Sequence, residues 1–89
     1  MEFRPSYFYS PFGIDRDADI IAIIGDDLWQ RSVTWAEDWN QHFDPFENTG
    51  EHFGSEEVRA RIDREYVALA MEIQDKLPPG EYLDFDMCW

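Results

Sequence analysis

Two imidazoles and one thiol are the side chains of this 89-residue chain with ready metal-binding or nucleophilic chemistry. His42 and His52 share one stretch with Asp44, Glu47 and Glu51, a set that could hold a cation through oxygen and nitrogen donors. Their spacing matches neither a zinc motif nor the calcium loop with its fixed glycine and terminal glutamate, so no metal is expected. Cys88 would lie on the face of an extended segment that also carries Asp84 and Asp86, where two carboxylates disfavour a thiolate. It reads as a structural thiol. Gly50 and Gly54 are isolated and form no phosphate-cradling loop. Carboxylate pairs are abundant, but a general acid needs a pocket that shifts its pKa, and a chain this short has little room for one. No catalytic residue and no cofactor is assigned, and a non-enzymatic protein is expected.

The remaining chemistry is charge. Twenty acidic residues against seven Lys and Arg leave a net charge of −13. That balance works against direct nucleic-acid binding, whose affinity comes from basic side chains displacing counterions. It disfavours anionic membrane surfaces for the same reason, and no apolar run approaches the roughly 20 residues that span a bilayer. The densest cluster is Asp15, Asp17 and Asp19, followed by Asp26 and Asp27, with Arg16 the only base inside it. Its plain reading is a solvated loop leading into a helix start. Its functional reading is an acidic patch for a basic protein surface, because spaced carboxylates imitate a phosphate array to Arg and Lys.

The elements that position these residues follow from periodicity. "MEFRPSYFYS" puts Phe3, Tyr7 and Tyr9 on one face if extended, and Pro5 confines the strand to an edge or to the residues after it. "PFGIDRDAD" reads as turn material, and "IIAIIG" as a short buried strand or a run into the next helix. Residues 26 to 43 carry a helical stripe of Leu28, Trp29, Val33, Trp35, Ala36, Trp39 and Phe43, with Trp35 at its edge. Three tryptophans on one stripe are first of all core. A base-stacking role does not fit, since stacking platforms come with a positively charged groove.

"DPFENTGEHFG" breaks that helix, and Ser55 caps a second one running to about Leu77. Its main stripe is Val58, Ile62, Tyr66, Leu69, Ala70, Ile73 and Leu77. A smaller stripe of Ala60, Val67 and Met71 lies elsewhere on the helix and either meets the sheet or docks something. Pairs Glu57–Arg61 and Glu72–Lys76, four apart, make its charge a self-paired face. "EYLDFDMCW" alternates strictly, with Leu83, Phe85, Met87 and Trp89 on one side, and reads as a strand pairing with the N-terminal one.

The order "MEFRPSYFYSPFG", "LWQRSVTWAEDWNQHFDP" and "VRARIDREYVALAMEIQDKLPPGEYLDFD" resembles small uncharacterised acidic proteins of actinobacteria and their phages. The resemblance covers most of the chain and carries no catalytic motif. It implies a β-α-α-β layout, no established activity and, by association with phage proteins, inhibition of a host factor.

The expectation is a single α+β domain, residues 1–89, with a two-helix hairpin packed on a short sheet of the terminal strands. The single cysteine and the absence of signal-peptide features at the start point to a reducing, cytoplasmic setting. The expected role is an acidic protein-binding module, in its sharpest form an inhibitor of a basic or nucleic-acid-binding host protein. Asp15, Asp17, Asp19, Asp26 and Asp27 would meet the partner, with Phe12, Phe46 and Phe53 as exposed aromatic anchors. The alternative is a small homodimeric structural protein associating through Ala60, Val67 and Met71 on the second helix, or through an edge strand.

Overall fold

A computed structural model describes residues 1–5, 10–13, 15–43 and 55–85. Five elements follow one another: β1 (Glu2–Phe3), α1 (Asp17–Ile24), α2 (Asp26–His42), α3 (Glu56–Lys76) and β2 (Asp84–Phe85). The strands pair in parallel, Glu2 opposite Asp84 and Phe3 opposite Phe85. The fold is α+β, with its sheet built from the terminal segments as the alternation suggests. A parallel pair needs a long crossover, and here all three helices lie within it. Among the described residues each strand is two residues long, and β1 comes before Pro5 rather than after it. Arg4 N donates to the Pro11 carbonyl at 2.8 Å, so the chain has doubled back by residue 11. Tyr7, Phe8 and Tyr9, like Met87, Cys88 and Trp89, lie outside the described residues.

The ambiguous "IIAII" segment is the end of α1. Asp17 and Asp19 occupy its first turn, where carboxylates complement the positive end of the helix dipole. The turn reading of "DRDAD" therefore gives way to a helix from Asp17 onward. Ile20 and Ile24, four apart, are buried, whereas Ile23 is exposed. That one-sided burial suits a helix and not a doubly covered strand. Gly25 separates α1 from α2 at φ 90°, ψ 155°, its N–H donating to Ile21 O at 2.9 Å and its carbonyl accepting from Trp29 N at 3.1 Å.

Helices α2 and α3 form the expected hairpin. On α2 the buried set is Leu28, Ser32, Trp35, Ala36 and Trp39, with Trp29, Val33 and Phe43 half-buried. Ser32 is tolerated inside the stripe because its hydroxyl donates to Leu28 O at 2.8 Å. Ser55 caps α3, its side chain accepting from Val58 N at 3.2 Å. The stripe of Ile62, Tyr66, Leu69, Ala70, Ile73 and Leu77 is buried as the spacing predicts.

The centre of the core is aromatic. Tyr66 stacks on Trp35 with ring centres 4.6 Å apart and meets Phe3 at 4.9 Å. Its hydroxyl donates to the Phe3 carbonyl, which ties β1 to α3. Trp35 is only 3% exposed, its Nε1 donating to Ile62 O at 3.0 Å. It is the hairpin's central ring, not a stripe-edge residue. Phe12 departs further from expectation. Its loop position predicts exposure, yet it is 2% exposed and stacked on Phe3 at 5.3 Å. A turn in which Ser10 accepts from Phe12 N and Gly13 N folds the ring inward, so Phe12 is core and cannot anchor a partner.

Candidate partner-binding surfaces

The five aspartates of the acidic segment are not equivalent. Asp17 lies at the start of α1, close enough to α2 for Trp29 Nε1 to donate to its Oδ1 at 3.2 Å. It is half-buried and has a structural partner. Asp15, Asp19, Asp26 and Asp27 are exposed, and among the described residues none forms an ion pair within 4 Å. Asp15 precedes α1 at φ 56°, the left-handed region that Asp and Asn enter more readily than other side chains. Asp26 and Asp27 form the first turn of α2, where carboxylates complement the positive end of the helix dipole.

The hairpin treats its carboxylates differently. Arg61 donates to Asp38 at 2.7 Å across the helix pair and to Glu65 at 3.3 Å along α3. Arg31 makes a forked pair with Glu72 at 3.1 and 2.5 Å. Helix α3 does pair with itself, but through Arg59–Asp63 and Arg61–Glu65 rather than the expected Glu57–Arg61 and Glu72–Lys76, and the antiparallel hairpin adds bridges to α2 by bringing residues 31 and 38 alongside 72 and 61. Hydrogen bonding from Arg61 holds the Asp38 carboxyl below the usual carboxylate range, against an opposing effect of burial. His42 lies four residues on, its Nδ1 3.1 Å from Asp38 Oδ1, and adds in the same direction. Glu72 is lowered chiefly by its bonds from Arg31. Between the helices lies an open groove of about 800 Å³, bordered by Arg31, Asp38, Arg61 and Glu65 above Trp35 and Leu69. Both arginines are held by carboxylates, and Asp27 and Glu37 on its border leave it net acidic.

The second candidate surface is the outer face of α3. Ala60, Val67 and Met71 are all exposed, Val67 by 37% and Met71 by 66%, so this stripe does not meet the sheet. Arg64 and Ala68 share the face, and a shallow depression of about 380 Å³ runs along Asp63, Arg64, Val67, Ala68 and Met71. Arg64 escapes notice when only apolar positions are counted, although it falls in the same 60–64–67–71 spacing. Phe46 and Phe53, with His52, Asp44, Glu47, Glu51 and Cys88, lie outside the described residues. No group of three metal-ligating side chains occurs among the described residues, and none of their helices is long and apolar enough to cross a membrane.

Comparison of the chain with protein-family models, with curated proteins and with solved structures finds no match.

Proposed function

We infer that this chain is a non-enzymatic binding module that meets a basic protein surface through Asp15, Asp19, Asp26 and Asp27. The observation that carries the reading is the crowding of these four exposed carboxylates into residues 15–27, without an ion pair among the described residues. Asp38, Asp63, Glu65 and Glu72 each have an arginine within 4 Å, and the other unpaired acids of the hairpin, Glu37, Glu56, Glu57 and Asp75, are spread along α2 and α3. Unmatched charge on a rigid helix–Gly–helix frame attracts an oppositely charged partner over several ångströms and raises its association rate. Asp17, bonded to Trp29, supports the frame. In its sharpest form the module occupies the basic site of a nucleic-acid-binding protein, as the resemblance to small acidic phage proteins suggests.

The test is affinity capture from a bacterial lysate at low and moderate salt. The control is Asp15→Asn, Asp19→Asn, Asp26→Asn and Asp27→Asn combined, with Asp17 left intact to spare its bond to Trp29. A basic protein retained by the natural chain, released by salt and lost from the variant is the expected result. Equal retention by the variant, or no specific retention at either salt, refutes the reading.

A further inference from the structure

The outer face of α3 combines exposed apolar surface with an unmatched pair of opposite charges. At 100° per residue, Ala60, Arg64, Val67 and Met71 fall within an arc of about 60°, and Asp75 lies about 20° further round. Arg64 and Asp75 are exposed, and among the described residues neither forms an ion pair within 4 Å. Arg16 is likewise without an ion pair within 4 Å among the described residues, but it sits between Asp15 and Asp17, whereas Arg64 lies on an apolar stripe. Asp63, its neighbour on the same face, is engaged by Arg59 at 3.8 Å.

We propose that this face binds a second copy of the chain, two α3 helices packing antiparallel about a two-fold axis level with residue 69. In that register Val67 of each copy opposes Met71 of the other, and Arg64 of each reaches Asp75 of the other. Self-complementarity of this kind is what a two-fold interface demands: the cation sits towards one end of the stripe, the anion towards the other, and antiparallel packing matches both at once. Ala60 and Ala68 are small and let the helices approach. Residues 55–77 carry six acids and four bases, so only a small part of the total charge of −13 lies on the helix at the seam. The apolar stripe spans about 16 Å of helix, which makes this a small interface and a weak, concentration-dependent dimer.

The experiment is sedimentation equilibrium at 0.15 M salt, chosen to screen the self-repulsion, over protein concentrations from about 10 μM to about 1 mM. The natural chain is expected to rise from its 10.6 kDa toward twice that mass. Val67→Asp, Arg64→Glu and Asp75→Arg should each stay monomeric with an unchanged thermal melt, since all three positions are exposed. Arg64→Glu combined with Asp75→Arg should dimerise again, because the swap rebuilds both pairs. A natural chain that stays monomeric throughout overturns the proposal and leaves the face to a partner of other chemistry. So does a dimer that persists in Val67→Asp, or a double variant that remains monomeric. None of these outcomes bears on capture of a basic protein by the acidic edge.

Discussion

Gly25→Ala is the substitution whose effect the structure isolates most cleanly. A Cβ at position 25 would find no atom within 4 Å, so a steric argument predicts no cost. The backbone argument predicts otherwise. At φ 90°, ψ 155° the residue lies in a region open essentially to glycine alone, and an L side chain there costs of order 1–3 kcal/mol. Alanine recovers roughly 0.4–1 kcal/mol by restricting the unfolded chain. The net loss lies between about 0 and 2.6 kcal/mol with a middle value of about 1.3 kcal/mol, which for a domain of this size is a fall in Tm of roughly 5–10 °C. The conformation cannot relax cheaply, since Gly25 both closes α1 through its N–H to Ile21 O and opens α2 through its carbonyl to Trp29 N. The assay is a thermal melt followed by circular dichroism, with Gly25→Val alongside as a β-branched variant that should lose at least as much. If Gly25→Ala melts within about 1 °C of the natural chain, position 25 is not held left-handed and the reasoning fails.

Tyr66→Phe should cost about 1–3 kcal/mol in urea unfolding, because it keeps the ring contacts with Trp35 and Phe3 but leaves the Phe3 carbonyl without its donor; an unchanged midpoint would show that the hydroxyl contributes nothing. Asp38 has a folded-state pKa below its unfolded value, so its contribution is present above the unfolded pKa, about 3.9, and is lost as the pH falls through the folded one. Unfolding midpoints of the natural chain and of Asp38→Asn should therefore converge between about pH 5 and pH 2, and a gap that stays constant down to pH 2 would remove Asp38 from the acid-sensitive groups.

Periodicity carried the hairpin. The bounds predicted for α2 and α3 lie within a residue of those observed, because an apolar stripe and a Ser55 cap are local signals. The burial of Trp35 depends on Tyr66, which no local window around Trp35 contains, whereas that of Phe12 depends on a tight turn at residues 10–13 that folds its ring back onto Phe3. The helix at residues 17–24 competes with strand propensity in its isoleucines, and only packing of Ile20 and Ile24 on one side decides between them. The bridges Arg31–Glu72 and Arg61–Asp38 were hidden because each arginine has a choice of carboxylates, and the inter-helix register selects. For the acidic edge, spacing located the residues but could not separate Asp17, which accepts from Trp29, from its solvated neighbours.

The parallel register of β1 and β2 also orders events in time. Bringing Glu2 beside Asp84 closes a loop of about 80 residues, an entropic cost of about 4 kcal/mol beyond a constant for chain stiffness. Two residues of ladder do not repay that. What repays it is the docking of Phe3 onto Trp35 and Tyr66, rings that share a surface only once α2 and α3 are already side by side. The hairpin, whose contacts span shorter stretches of chain, has less closure entropy to overcome, so it is expected to form before the strand pair that clasps the two ends.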